Sequence, residues 1–318
     1  MSQQQGCDFS RQSIAVLVPC YNEEQTVAQV VHDFRAVLPL ATIYVYDNNS
    51  EDRTSQRATE AGAVVRLERL QGKGNVLRRM FSDIEADIYI LVDGDSTYHA
   101  PSAPKMITKL LEEQLDMVVG TRLTQHEGEA FRQGHRFGNR LLTGCVSFLF
   151  GRTLTDMLSG YRVLSRRFVK SFPAQAKGFE TETELAVHAL ELRMPVAEVV
   201  TPYGARPAGS ESKLHTYRDG YRIFVTIVNL FKEERPLAFF ALLFALLASL
   251  AVGLAVPVIL TYAATGLVPR FPTAILATGI MILAFLSLAC GLILDTVTLG
   301  RRELKRLHYL ALAAPGHE

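Results

Sequence analysis

Apolar positions fall into two regimes along this chain. From Ser13 to Thr121, short runs rich in β-branched residues alternate with stretches in which apolar residues recur three or four positions apart. Ser13–Pro19 (SIAVLVP), Thr42–Asp47 (TIYVYD), Ala63–Leu67, Ile88–Asp93 (IYILVD) and Asp116–Thr121 (DMVVGT) read as strands. Helical spacing fills the intervals at Glu23–Leu38, Thr54–Ala61, Gly74–Ile84 and Lys105–Gln114. This alternation predicts an α/β fold, a mostly parallel sheet with helices on both faces. Ligands of such sheets bind beyond the carboxyl ends of the strands.

The second regime begins after Arg235. Leu237–Leu260 and Phe271–Leu294 each hold 24 residues without a charge. As helices they would be about 36 Å long, enough for a hydrocarbon core of about 30 Å. Arg218, Arg222, Lys232 and Arg235 precede the first run, and Arg301, Arg302, Lys305 and Arg306 follow the second. The connection carries only Arg270. The excess of positive charge on one side places both termini and the N-terminal domain in the cytoplasm, with the chain in the inner membrane. Gly253 and Gly279 are small enough to let the two helices pack closely. The expected organisation is a catalytic domain over 1–218, an amphipathic helix over 219–235, two transmembrane helices over 236–299 and a cytoplasmic tail over 300–318. The amphipathic segment, DGYRIFVTIVNLFKEE, would lie in the membrane interface or pack on the catalytic domain. Phe137–Phe150 is a second unusually apolar stretch.

Charge changes the picture by exclusion. With 33 Lys+Arg against 32 Asp+Glu there is no global basic field for nucleic acid. Cys7, Cys20, Cys145 and Cys290 fall in no metal-binding spacing and read as reduced, mostly buried thiols. Met1–Arg11 is polar and has no apolar core of a signal peptide.

Three polar clusters emerge from strand ends: Pro19-Cys20-Tyr21-Asn22-Glu23-Glu24, Asp47-Asn48-Asn49-Ser50 and Asp93-Gly94-Asp95. One cluster alone would be an ordinary loop or helix cap. Asp93 and Asp95, alternate carboxylates past a buried strand, suit a hard cation such as magnesium or manganese. Such an ion takes few protein carboxylates together with substrate phosphates.

The segments VPCYNEE, VYDNNSEDRT, GKGNVLRRM, LVDGDSTYHAP and DMLSGYRVLSRRF together resemble family 2 of the glycosyltransferases, whose fold is GT-A. Two apolar runs after SKLHTYRDGYRIF are similar to the branch acting on polyprenyl phosphates, which contains dolichyl-phosphate mannose synthases and bactoprenol glucosyltransferases. The resemblance covers Ser13–Glu234 at motif level and the two spans by architecture. It implies that Pro19, Tyr21, Asn22, Glu23, Asp47, Lys73, Asp93 and Gly94 bind the nucleotide. Asp95 and Asp93 would hold the metal, Asp95 more firmly, and Thr97 stands where the mannose synthases carry a further ligand, which leaves Asp95 as the ligand the resemblance supports best. Arg122 and Asp156 would act at the reacting centre with Asp95. Arg136 and Asn139 (HRFGNR) would engage the acceptor phosphate or, for Arg136, lipid headgroups. Arg206 and Lys213 would add phosphate contacts from a loop that closes over the donor or is simply solvated. Glu180 and Glu182 would reach the site or open a helix as N-terminal acids, the second reading being preferred for Glu182.

The implied reaction is inverting displacement at an anomeric carbon, from a nucleotide-sugar donor to a polyprenyl phosphate. The departures from the mannose synthase motif favour a UDP-sugar, with GDP-mannose as the alternative donor and a non-lipid molecule as the alternative acceptor. A processive polysaccharide synthase is disfavoured because the chain has no Trp for that branch's acceptor motif. A homo-oligomer is compatible with the pattern and not implied by it.

Overall fold

The computed structural model describes residues 11–124, 144, 146, 150–151, 154–175, 181–204 and 216–315. The chain divides into two compact units, residues 1–223 together with 305–318, and residues 224–304.

The first unit is built on a seven-stranded sheet. Its strands are β1 (Ile14–Cys20), β2 (Thr42–Asp47), β3 (Val64–Leu67), β4 (Ile88–Leu91), β5 (Met117–Thr124), β6 (Arg162–Ser165) and β7 (Val196–Tyr203). Between them come α1 (Val27–Val37), α2 (Thr54–Glu60), α3 (Lys73–Asp83), α4 (Ala103–Glu112), α5 (Arg166–Ser171) and α6 (Thr181–Glu191). The spatial order is β3-β2-β1-β4-β6-β5-β7. All neighbours run parallel except β6, which is antiparallel to both β4 and β5. The five strands read from the pattern are present. Strands β6 and β7 are additional, and both are short or interrupted by polar residues.

Period-two alternation divides the core. Val16, Val18, Ile88, Ile90, Val118 and Val163 join Val27, Phe34, Met106 and Leu110 of α1 and α4 in one buried cluster. Leu17, Leu91, Leu77 and Met80 are buried outside that cluster. Here α3 packs on β1, and α5 packs on β4 and β6. The consequence for function is geometric. The loops after β1, β2, β4 and β5 all open at one end of the sheet, and the reversed β6 sends the residues before it to that same end.

Helix α7 (Thr216–Glu234) includes the expected amphipathic segment, followed by α8 (Pro236–Thr265) and α9 (Phe271–Leu310). Both α8 and α9 are long and apolar enough to cross a membrane. Leu246, Ile259, Phe285 and Ile293 are more than half exposed, as lipid-facing residues would be. The contact between the two helices is not at Gly253 or Gly279, around which a Cβ would meet nothing within 4 Å. The closest approach at a glycine is at Gly291, where a Cβ would come within 2.8 Å of Phe240 Cβ, and Phe244 packs on Phe285. The Ser287 hydroxyl donates to the Phe240 carbonyl at 3.0 Å. Small size permits close approach only on the face turned to the partner, and Gly253 and Gly279 lie on other faces. Cys20 is buried as expected, whereas Cys290 is exposed on α9. Cys7 and Cys145 lie outside the described residues, as does most of Phe137–Phe150.

Helix α9 runs 40 residues, well past the expected end of its apolar run. Its final turns belong to the first unit. Lys305 pairs with Glu191 at 2.7 Å, and the Tyr309 hydroxyl donates to Asp116 Oδ2 at 2.7 Å. Asp116 is fully buried and is also held by Arg167, whose guanidinium lies 4.4 Å from the Tyr309 ring. Residues 300–310 are therefore helix rather than loose tail, because two buried carboxylates receive their donors from it.

Candidate active site

The site is assembled from loops that bond to one another. After β1, Asn22 takes a left-handed conformation with φ 53°, and its amide donates to Ser50 Oγ at 2.9 Å. In return Glu51 N–H donates to the Asn22 side-chain oxygen. The amide of Glu23 donates to Thr54, and that of Glu24 to Asp52. The β2 loop is tied in turn to the β3 loop. Asn48 donates to the carbonyls of Glu68 and Leu70 and accepts from Gly72 N–H. Pro19, Tyr21, Asn22 and Glu23 are thus fixed side by side with the β2 loop, as a preformed pocket requires. Asp47 lies in this frame, but its two oxygens are taken by Ser50 N–H and the Ser55 hydroxyl.

The β4 end carries the two carboxylates. Gly94 permits the turn between them: a Cβ there would sit 2.6 Å from Cys20 Sγ. Its carbonyl accepts from the Thr26 hydroxyl at 2.7 Å, joining this turn to the start of α1. Asp95 is buried, and its Oδ1 accepts from the amide and hydroxyl of Thr97 at 3.2 and 2.6 Å. Asp93 faces the other way, and its Oδ1 lies 2.5 Å from Lys73 Nζ. The same ammonium lies 2.5 Å from Glu182 Oε1. Burial opposes the charge on Lys73, and Asp93 and Glu182 more than offset it, so its pKa lies above the ordinary lysine value. Lys73, expected at the nucleotide, thus spends its charge on two carboxylates.

Across the site, Arg122 on β5 grips Asp156 with two parallel bonds of 2.7 Å, Nε to Oδ2 and Nη2 to Oδ1. This bidentate geometry is the strong form of a charged hydrogen bond. Burial works against the guanidinium's charge, but Asp156 raises its pKa above the usual arginine value. The Asp156 loop is pinned by Glu198, which accepts from Thr155 N–H and hydroxyl at 2.7 and 2.9 Å. The Arg122 guanidinium also lies 5.6 Å from the Tyr203 ring. Tyr98 joins the halves. Its hydroxyl accepts from Gly160 N–H at 2.8 Å, and its ring packs on Tyr161 and Tyr203.

Of two buried residues that tie the site together, Glu182 was expected to reach the site or to open a helix and does both, and Arg162 escaped the sequence reading. Glu182 opens α6, as expected of an N-terminal acid, yet its carboxylate is buried against Lys73. Arg162 is fully buried in β6, where it donates to the carbonyls of Ser159, Met157 and Glu182 at 3.1, 2.6 and 2.8 Å. It ties the loop before β6 to the start of α6. Its signal was the charge within an otherwise apolar strand. Arg136, Asn139, Arg206, Lys213 and Glu180 lie outside the described residues.

A divalent cation fits part of this donor set. Asp95 offers a hard, oriented oxygen donor of the kind magnesium and manganese use alongside phosphates. Among the described residues no group of three or more His, Cys, Asp or Glu side chains is placed to enclose a metal by itself.

Residues 15–172 match the family described as Glycosyl transferase family 2. The glycosyltransferase AglJ of Haloferax volcanii is 32% identical over 300 residues, covering 94% of this chain and 98% of that protein. The dolichyl-phosphate hexose transferase of the same organism is 28% identical over 228 residues, covering 72% and 98%. The glucosyl-3-phosphoglycerate synthase of Mycobacterium tuberculosis, solved with Mn2+, UDP and phosphoglyceric acid, superposes with a TM-score of 0.56 at 23% identity. That alignment covers 70% of this chain and 79% of that one. The sheet and its solved neighbour show a GT-A fold. The chain belongs to glycosyl transferase family 2.

Proposed function

We propose that this glycosyltransferase moves a hexose, with inversion, from a nucleotide-sugar donor, a UDP-sugar in preference to GDP-mannose, onto a polyprenyl phosphate at the cytoplasmic face of a membrane. The observation that carries the reading is the Arg122–Asp156 pair. Asp156 stands where many family 2 enzymes need a base, but both its oxygens are bonded to a guanidinium. A sugar hydroxyl acceptor would require a proton to be removed. A phosphate monoester, with a second pKa of about 6, arrives at neutral pH largely dianionic and needs no base. The two membrane-length helices in the same chain and the name of the dolichyl-phosphate hexose transferase support a lipid-borne acceptor.

In this reading Pro19, Tyr21, Asn22 and Glu23 hold the nucleoside. Asp95 would carry a divalent cation that neutralises charge developing on the leaving diphosphate. Asp93, held by Lys73, would lie beside the nucleotide. Asp156 holds Arg122 ready for anionic oxygen, and the resemblance would assign Arg136, Asn139, Arg206 and Lys213 to the acceptor phosphate. Catalysis then rests on positioning and fixed charge rather than on proton transfer. The basic flanks of the spans support a cytoplasmic site.

The test is transfer from a panel of UDP- and GDP-sugars to undecaprenyl phosphate in detergent, with and without Mn2+. A metal-dependent lipid-linked product from a UDP-sugar is expected. Product on a water-soluble acceptor but none on lipid phosphate would reject the acceptor assignment. Asp95→Ala should lower turnover by at least about 10²-fold, the scale of removing one preorganised charge contact, with the variant still purifying as folded protein.

A further inference from the structure

Lys73 and Glu182 are 109 residues apart in sequence, and the fold brings them to one point. One ammonium within 2.5 Å of both Asp93 and Glu182 means that the two carboxylates face each other across a cation-sized gap. Asp93 is pressed by a neighbouring loop, and Glu182 is buried with its backbone anchored. A Cβ at Gly160 would lie 2.3 Å from Asp93 Oδ2, so the loop before β6 presses directly on that carboxylate. Glu182 is anchored through its carbonyl, which accepts from the buried Arg162 at 2.8 Å. Two carboxylates that converge on one position repel each other unless a cation or a shared proton lies between them. Hard divalent ions bind just such oxygens, at about 2.0–2.1 Å for magnesium.

We propose that Lys73 is a built-in counter-cation that occupies the gap between Asp93 and Glu182, so that a divalent ion enters this site only with the donor's diphosphate, on Asp95. The chain then has acidic groups enough for a metal but does not capture one in the resting state. Asp93 remains oriented without being spent as a metal ligand. This deepens the proposed function and rests on it only for the identity of the nucleotide.

Binding of Mn2+ to the full chain in detergent, followed by loss of the free-ion electron paramagnetic resonance signal, tests the proposal without any sugar transfer. Wild type should leave Mn2+ free until UDP is added. Lys73→Met should bind Mn2+ without nucleotide at least about tenfold more tightly than wild type. Adding Glu182→Gln to that variant should abolish the gain, and Lys73→Arg should behave as wild type. Wild-type affinity in Lys73→Met would overturn the proposal, as would wild type binding Mn2+ equally well with and without UDP. The wild-type arm decides even if Lys73→Met does not fold. Glu182→Gln alone, which keeps the lysine, must show no nucleotide-free gain. A gain in Lys73→Met beside a failed transfer assay would reject the proposed reaction and leave this assignment standing.

Discussion

At the scale of single residues, Asp156 and His188 make opposite uses of burial. Asp156 is buried with both its oxygens bonded to the Arg122 guanidinium. Replacing it with Asn removes a charge from a buried pair, a loss worth about 3–5 kcal/mol when the partner is left behind. Turnover should fall by about 10²-fold through misplacement of Arg122, while the shape of the pH–rate profile stays unchanged. Disappearance of the profile's acidic limb in Asp156→Asn would instead mark Asp156 as a base. His188 lies between Phe168 and Phe172, with Nε2 on the Ser171 hydroxyl and Nδ1 without a hydrogen-bond partner among the described residues. Burial, reinforced by Lys305, pushes its pKa down to about 3 from 6.5. The unfolded chain therefore takes up this proton first. The stability due to neutral His188 is complete above pH 6.5 and is lost as pH falls toward 3. Between pH 7 and pH 5 the loss is about 2 kcal/mol, read as a falling Tm in detergent, and His188→Leu should flatten that slope.

Among the elements, legibility followed how much of the signal was local. Strands β1, β2 and β4 announced themselves as apolar runs, and their polar ends marked Asp93 and Asp95. Strand β6 did not, because it has four residues and one is Arg162, a charge that reads as surface and is in fact fully buried. The pairing of Lys73 with Glu182 was equally hidden, since no local pattern joins residues so far apart in the chain. Arg122 and Asp156 were recognisable by motif, but that they grip each other emerges only when β5 lies beside the loop before β6. In the helical pair the sequence contains several glycines, and only packing distinguishes them. Gly291→Ile would drive a side chain into Phe240 and the backbone of Leu237, 3.5 Å from a Cβ. Overpacking of this kind costs about 1–3 kcal/mol. Gly279→Ile, with open space around it, should leave the detergent Tm near wild type, and equal effects of the two would displace the contact from Gly291.

For the whole molecule, the end of α9 matters more than its apolar run suggests. Tyr309 reaches Asp116 at the amino end of β5, away from the site, and Lys305 reaches Glu191 at the far end of the helix that Glu182 begins. Tyr309→Phe should cost the first unit about 1.5–3 kcal/mol, the worth of a hydrogen bond to a charged group. Removal of residues from Lys305 onward should cost more and increase protease cleavage of the catalytic unit. Unchanged protease resistance in the truncated chain would show that these contacts add nothing to it.

That arrangement also imposes an order on biosynthesis. Domains ordinarily fold as units while the chain emerges from the ribosome, N-terminal parts first. Here the unit begun by residues 1–223 recruits its remaining pieces from beyond residue 304. Both apolar helices must be translated before the catalytic unit receives its final contacts. A nascent chain halted between them would leave Asp116 and Glu191 without Tyr309 and Lys305.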